Sequence, residues 1–447
     1  MNITLTLRIL GALLLFLAIA LLVPVPFSWF YGDGAAGAFC LSAIISAGCG
    51  GLLYSRFRSA SDLSVREGFA VVTFGWTFFA LFGALPFVFS GAIPSYLNAF
   101  FETMSGFTTT GSTILTDIEA MPPSLLLWRS LTQWLGGMGI IVLSLAILPM
   151  LGVGGMQLFK AEVPGPTADR LKPRIQDTAK LLWGVYVLLT GAEVILLMVG
   201  GMGFFDGINH AFTTMATGGF STRNASVAAY DSAFIDWVIT LFMFLAGVNF
   251  SLHYLALRGK LGDFIRNEEF LFFSGLAMLG TLLIALLNMG GTYADFFDNL
   301  RYSAFQVVSI LTTTGFGTAD YELWPVLCQY LLVFAMFIGG CAGSTGGGMK
   351  VARILLLFKH AHVQVYRLIH PRAVRLVKLG DRPVAKDVMQ SILGFFAVYL
   401  GVFVAASFIM AGVGMDLTSA SASVIATLSN IGPGLGSVGP TDNFAHV

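Results

Sequence analysis

Long apolar runs recur along this chain and constrain its fold more than any other feature. They cover approximately 7–30, 35–54, 68–90, 126–150, 181–203, 233–257, 270–290, 325–341 and 388–412. Most are long enough to cross a bilayer, whose hydrocarbon core of about 30 Å takes about 20 helical residues. Charged residues make up 11% of the chain, against about 25% in a typical soluble domain. The sequence therefore predicts an all-α, polytopic membrane protein, and the many later runs exclude a mere signal peptide.

Lysine and arginine residues concentrate in alternate loops. Three lie in 55–67, five in 151–180, three in 258–269 and nine in 350–388. Because basic loops stay in the cytoplasm, this bias predicts a cytoplasmic N-terminus. The opposite side carries most of the carboxylates, which predicts an acidic vestibule that concentrates cations. The alternative is that these acids are ordinary polar loop residues.

A short threonine- and glycine-rich phrase occurs four times. Its first glycines are 107, 97 and 117 residues apart, and the copies read Phe107-Thr-Thr-Thr-Gly111, Ala216-Thr-Gly218-Gly, Leu311-Thr-Thr-Thr-Gly315 and Leu428-Ser-Asn-Ile-Gly432. One such phrase is typical of a helix C-cap. Four copies in corresponding places, each after a spanning run, instead favour an ion site made of backbone carbonyls.

The segment before each phrase is too short to span the bilayer. Each begins at a predicted N-cap, namely Ser95, Asp206, Asp298 and Asp416. Helices of about 12–15 residues cover half the bilayer, so we expect them to re-enter the membrane. Their C-terminal ends would then place partial negative charge at one point, which favours a cation.

These phrases, with two further helices at the N-terminus, resemble the Trk/Ktr/HKT superfamily of potassium transporters, and the extra helices favour its bacterial TrkH/TrkG branch. The resemblance implies four pseudo-symmetric helix–pore loop–helix repeats around a central ion pore, plus two N-terminal transmembrane helices. The expected units are 1–60 (extension), 61–165, 166–262, 263–370 and 371–447 (repeats). In the family a last helix, carrying an arginine, closes the fourth repeat, and we expect this helix to be absent from a sequence that ends at Val447.

The resemblance also assigns the ion site. Potassium is the transported ion, no cofactor is implied, and the filter carbonyls would come from Thr109, Thr110, Gly111, Ala216, Thr217, Gly218, Thr313, Thr314, Gly315, Asn430, Ile431 and Gly432. Each quarter offers a short x-x-Gly element, so we expect looser selectivity than in a longer filter.

A glycine-dense break interrupts the apolar run near residue 340. Glycine at this density does not sustain a helix, and in the family a loop here gates the pore. The expected gate residues are Gly343, Ser344, Thr345, Gly346, Gly347, Gly348 and Lys350, within a loop at 339–349. The alternative is close helix packing through small residues.

The basic 350–388 segment suggests a cytoplasmic binding face or a surface helix on anionic lipid. The resemblance implies that this face meets a cytosolic nucleotide-binding ring like TrkA, that the protein is a homodimer, and that no nucleic acid takes part. The expected location is the bacterial inner membrane.

Other functions remain as alternatives. A symporter could couple potassium or sodium to protons, and the intramembrane Glu193 could hold the coupling ion or could hydrogen-bond a neighbouring helix. A membrane scaffold is a further possibility. A hydrolase using Ser344 is disfavoured because no histidine lies at comparable depth in an apolar span. The Gly343–Lys350 glycines lack the order of a phosphate-binding loop.

Overall fold

The computed structural model of the protein describes residues 2–57, 65–150, 175–380 and 382–447, and side chains within 140–178 lie outside this description. The basic 151–180 segment, the boundary at 165/166 and part of the 126–150 run therefore fall mostly outside the described residues.

The first half of the described chain is helical. Its helices are α1 (Ile3–Ala20), α2 (Val25–Tyr31), α3 (Ala36–Arg56), α4 (Val65–Gly83), α5 (Leu85–Phe89), α6 (Tyr96–Phe107), α7 (Pro123–Met150), α8 (Ile175–Val199) and α9 (Phe204–Met215).

The second half continues with α10 (Ala233–Ala246), α11 (Phe250–Leu257), α12 (Gly262–Arg266), α13 (Glu268–Asn288), α14 (Phe296–Leu311), α15 (Val326–Ile338), α16 (Val351–Ile369), α17 (Lys386–Gly412) and α18 (Leu417–Leu428). A small antiparallel hairpin, β1 (Lys378–Leu379) and β2 (Arg382–Pro383), pairs Lys378 with Pro383. The predicted all-α class is confirmed.

Six of the predicted spans are confirmed by helices of sufficient length and apolarity, at Ile3–Tyr31, Ala36–Arg56, Arg66–Phe89, Ala179–Val199, Glu268–Asn288 and Lys386–Gly412. Two other runs differ from a straight span. The 233–257 run bends by 103° between α10 and α11, and the 325–341 run contains a helix of 13 residues that ends at Ile338.

Four short helices precede the repeated phrases, as predicted. Helices α6, α9 and α18 have 12 residues each and α14 has 16. The N-caps Ser95 and Asp416 are confirmed, because their side chains accept hydrogen bonds from backbone N–H groups of the first turn.

The predicted N-caps Asp206 and Asp298 are wrong. Both lie inside the first helical turn, where a carboxylate also favours the helix because of its dipole. The N-cap of α9 is Gly203. The N-cap of α14 is Asp295, whose Oδ2 accepts hydrogen bonds from the N–H groups of Phe297 and Asp298.

Each short helix is held between longer ones. Helix α6 packs against α4 and α7, α9 against α7 and α8, α14 against α10 and α13, and α18 against α15 and α17. Beside α6, the fully buried Trp128 packs edge-on against Phe39 and Phe107, and its indole N–H donates to the carbonyl of Gly83.

Candidate functional site

The backbone follows the same course after each of the four short helices. The second residue beyond each helix has a left-handed φ of 51 to 62°, at Thr109, Thr217, Thr313 and Asn430. Two residues later a glycine has a φ of 75 to 98°, at Gly111, Gly219, Gly315 and Gly432. A φ of about 50 to 70° lies in the small left-handed region that other residues can adopt, whereas residues with a side chain rarely adopt the larger values, which explains the four glycines.

These four glycines form a closed ring, which we call the glycine ring. A Cβ atom on each would meet a carbonyl oxygen of the next segment. The distances would be 2.2 Å from Gly111 to Gly218, 2.0 Å from Gly219 to Thr314, 1.8 Å from Gly315 to Ile431 and 3.0 Å from Gly432 to Thr110. The four phrases, distant in sequence, therefore meet edge to edge.

The second phrase enters the glycine ring one residue later than the sequence register predicted. Gly219, not Gly218, has the backbone course of Gly111, and Ala216 is the C-cap of α9. The matching triplet is therefore Thr217, Gly218 and Gly219. Two consecutive glycines made the register ambiguous, and the end of α9 at Met215 resolves it.

Gln133 of α7 lies directly behind this second phrase. Its side-chain Nε2 donates to the carbonyl of Gly218 at 2.7 Å, and its Oε1 accepts from the N–H of Phe220 at 3.1 Å. The glutamine is fully buried. Sequence reasoning missed it, because nothing near Gln133 in the sequence signals a partner 85 residues away.

A buried ion pair braces the first and second phrases one turn before Gln133 in α7. Arg129 Nε lies 2.6 Å from Glu102 Oε1, and its Nη1 donates to the carbonyl of Ser221 at 3.0 Å. Its guanidinium also lies over the Phe220 ring, 3.5 Å from the centroid. Glu102 in turn accepts hydrogen bonds from the Thr113 hydroxyl and the Ile114 N–H.

The fourth phrase is tied to its neighbours as well. The Thr110 hydroxyl donates to Asn430 Oδ1 at 2.8 Å, which links the fourth phrase to the first. The Tyr321 hydroxyl donates to the carbonyl of Gly434 at 2.7 Å, which links the fourth phrase to the segment that follows the third. All four segments are thus interlocked around the glycine ring.

A cavity of about 90 Å³ lies on the face of the glycine ring away from the helix ends, lined by all four ring glycines. Three arginines on this side each pair with a carboxylate of the same side. Besides Arg129, these are Arg223 with Asp206 at 2.8 Å and Arg301 with Asp298 at 3.0 Å. The predicted acidic surface is therefore partly neutralised by its own arginines.

The predicted break near residue 340 is confirmed, since α15 ends at Ile338 and α16 begins at Val351. All seven predicted gate residues lie in this intervening stretch, which we call the intramembrane loop. It contacts the helix-end face of the glycine ring. Gly347 N–H donates to the Thr313 hydroxyl at 2.6 Å, and Gly348 N–H donates to the carbonyl of Ser429 at 3.0 Å.

The other side of the intramembrane loop is tied to the bend between α10 and α11. Cys341 N–H donates to the carbonyl of Gly247 at 2.8 Å, and Phe250 N–H donates to the carbonyl of Gly343 at 3.1 Å. The Thr345 hydroxyl reaches carbonyls at the ends of α9 and α10. The loop therefore joins the glycine ring to the bent helix pair.

Two charged residues hold the intramembrane loop in shape. Glu269, at the start of α13, is buried, and its Oε1 accepts the N–H of Ala342 at 2.6 Å. The Lys350 ammonium donates to the carbonyls of Ser344 and Gly346. Sequence reasoning included Lys350 in the gate but missed Glu269, which lies 73 residues from its partner.

Glu193 is fully buried in α8, next to the Thr214 hydroxyl of α9. That hydroxyl donates to the carbonyl of His210. Among the described residues, neither carboxyl oxygen of Glu193 has a hydrogen-bond partner, so the expected bond to a neighbouring helix is not found there.

Several known proteins are similar to this chain in sequence and fold. The sequence model of the TrkH family, described as a cation transport protein, matches residues 37–446. The Trk system potassium uptake protein TrkH of Salmonella typhimurium is 44% identical over 98% of this chain and 92% of its own length. TrkG of Escherichia coli K12 is 35% identical over 95% and 89%, respectively. The crystal structure of the potassium transporter TrkH from Vibrio parahaemolyticus aligns with a TM-score of 0.91 and 38% identity, covering 100% of this chain and 93% of that one.

Proposed function

Because the chain belongs to the TrkH family of cation transport proteins, we propose that it carries potassium ions into a bacterial cell through the glycine ring. The multi-pass helical fold fits the inner membrane. The curated relatives are potassium uptake proteins, not enzymes.

The observation that carries this proposal is the closure of the glycine ring. Four helix C-termini converge on it, and their dipoles favour a cation. Carbonyl oxygens can replace the water shell of a potassium ion. The ion would be held by carbonyls of Thr109, Thr110, Gly111, Thr217, Gly218, Gly219, Thr313, Thr314, Gly315, Asn430, Ile431 and Gly432, with Gly219 taking the place expected for Ala216.

The intramembrane loop would be the gate. It lies against the helix-end face of the glycine ring, where an ion leaving the ring would have to pass. Most of its anchors are single hydrogen bonds, which can be exchanged during a small movement. Movement of the bend between α10 and α11 would be transmitted to it directly.

The membrane potential would drive the ion inward, at about 2.3 kcal/mol per charge per 100 mV. A cytosolic nucleotide-binding ring would control the gate through the basic 350–388 face, and two copies of the chain would form the transporter. The exposed Arg367 and Arg375, close to the hairpin, support such a face.

The decisive test is ion flux in vesicles reconstituted with the purified protein. We expect an imposed inside-negative potential to drive ⁸⁶Rb⁺ or K⁺ uptake, and expression to rescue a potassium-uptake-deficient bacterium at low external potassium. Vesicles that contain folded protein but show no potential-driven flux would refute the proposal.

A second candidate is symport of potassium or sodium with protons, which the buried Glu193 favours. A carboxyl group at that place could hold a proton during transport. The variant Glu193→Gln would then uncouple uptake from the pH gradient. If uptake follows the potential alone in both proteins, the passive pathway stands.

A further inference from the structure

We infer that the Gln133 side chain, which comes from α7, fills the place of the side chain that Gly218 lacks in the second quarter of the glycine ring. We further infer that Gln133 contributes there to the preference for potassium over sodium. This inference rests on the proposed function, since it assigns a selectivity role within the same ring. It makes Gln133 a positioning residue that holds a ring carbonyl.

The first step is that Gly218 corresponds to Thr110, Thr314 and Ile431. In all four segments this residue's N–H donates over 2.8 Å to a carbonyl five residues earlier, at Ser105, Thr213, Ser309 and Ala426. In all four, the next residue is the ring glycine. The other three segments carry a side chain at this place, and the second does not.

The second step is that Gln133 occupies the space of the absent side chain. A Cβ atom on Gly218 would lie 2.3 Å from Gln133 Cδ and 2.4 Å from its Oε1. Gly218 does not have a left-handed φ, so its backbone alone does not require glycine. The glycine at 218 is therefore explained by the glutamine behind it.

The third step concerns the oxygen that Gln133 contacts. The carbonyl of Gly218 is the one that faces Gly111 in the glycine ring, and it accepts the Gln133 amide at 2.7 Å. Among the described residues, the hydrogen bonds include no side-chain donor to the matching oxygens of Thr110, Thr314 and Ile431. One of the four matching oxygens thus accepts a hydrogen bond from a side-chain amide.

A held carbonyl affects which ion fits. A carbonyl fixed by a donor cannot move inward to follow a smaller ion, so the amide should penalise sodium relative to potassium. Because Gln133 also accepts the Phe220 N–H, it fixes the backbone on both sides of Gly219.

The test compares Gln133→Met with wild type in vesicles, measuring K⁺, Rb⁺ and Na⁺ flux. Methionine keeps the length and removes the donor. We expect the K⁺/Na⁺ preference to fall by about fivefold, as the loss of one ordinary hydrogen bond would give. The matched control is Gln306→Met, because Gln306 is an equally buried glutamine whose amide contacts Thr318 and Ala319 outside the glycine ring.

A pair of compensating substitutions at positions 218 and 133 tests the packing of Gln133 against Gly218 separately. Gly218→Ala should lose potassium flux, because its Cβ meets Gln133, and Gly218→Ala combined with Gln133→Ala should recover it. Gly219→Ala combined with Gln133→Ala should stay inactive, since that Cβ meets the Thr314 carbonyl at 2.0 Å instead.

Two results would overturn the inference. One is an unchanged ion preference in folded Gln133→Met protein, and the other is full activity of Gly218→Ala alone. Both are read against wild-type vesicles that conduct potassium. Wild-type vesicles without flux would refute the proposed function itself, which keeps the two failures distinct.

Discussion

The glycine ring and the intramembrane loop lie against each other, and both are rich in glycine, but they are held in different ways. The ring is braced by side chains outside it, namely Gln133 and Arg129 of α7 and Tyr321 of the segment after the third phrase. The loop is held by one carboxylate, its own lysine, the hydroxyls of Thr313 and Thr345, and backbone hydrogen bonds. A region braced by packed helices keeps its shape, whereas a region held mainly by separate hydrogen bonds can move when some of them break.

The largest effect should follow from disturbing the ring itself. We expect Gly315→Ala to abolish potassium uptake, because its Cβ would lie 1.8 Å from the Ile431 carbonyl oxygen and its φ is 84°. The measurement is rubidium flux at equal protein content. The control is Gly317→Ala, whose Cβ would meet nothing within 4 Å. Normal flux in the first variant would mean that the ring is not the ion path.

The next effect concerns the bracing of the ring. Arg129→Leu leaves the Glu102 carboxylate buried without its partner, which typically costs about 3–5 kcal/mol. We expect a large fall in the melting temperature of the purified protein. The control is Arg223→Leu, since Arg223 is 41% exposed in its pair with Asp206 and exposed pairs contribute about 0–1 kcal/mol. An equal fall in melting temperature in both variants would contradict the prediction that the buried ion pair stabilises the protein more than the exposed pair does.

Sequence patterns could predict the parts of this fold that depend on local residues. Apolar length gave six spans, and glycine density gave the break between α15 and α16. The ends of the short helices were less certain, because two aspartates within four residues, Asp295 and Asp298, both suit a helix start. Which of the two aspartates becomes the N-cap depends on the position of the segment that precedes the helix, and local sequence does not determine that position.

Contacts between distant segments could not be predicted in the same way. The apolar 233–257 run has the composition of a straight span, yet it bends where Cys341 of the intramembrane loop binds the Gly247 carbonyl. The glycine at position 218 makes room for Gln133, whose contact with it spans 85 residues of sequence. One sequence carries no signal for such pairings.

A moderate effect should follow from releasing the loop. Glu269→Ala removes the acceptor of the Ala342 N–H, so the loop should open more readily. We expect basal potassium uptake to rise about fivefold, the equivalent of one hydrogen bond of about 1 kcal/mol. The adjacent Glu268→Ala is the control, because Glu268 pairs with Lys359 and Gly380 away from the loop. Unchanged or reduced uptake in folded Glu269→Ala protein would contradict a gating role for the hydrogen bond between Glu269 and Ala342.

The smallest effect concerns the pH dependence of the ring's outer support. Glu322 accepts the Gly436 N–H at 2.6 Å, just beyond the fourth phrase. Burial raises the pKa of Glu322 above its ordinary 4.5, and the nearby Asp320 and Asp442 add to this, although the Gly436 hydrogen bond opposes it.

The raised pKa means that Glu322 binds a proton more tightly in the folded protein than in the unfolded chain. The contribution of Glu322 to stability should therefore increase as pH falls from neutral through the raised pKa towards 4.5. Because the group is only half-buried, the effect is small. Melting temperatures measured across that range should show a weaker pH dependence for Glu322→Gln than for wild type. Glu119→Gln, another carboxylate on the same face, serves as the control. Identical pH profiles for wild type and Glu322→Gln would show that Glu322 is as well solvated in the folded protein as in the unfolded chain.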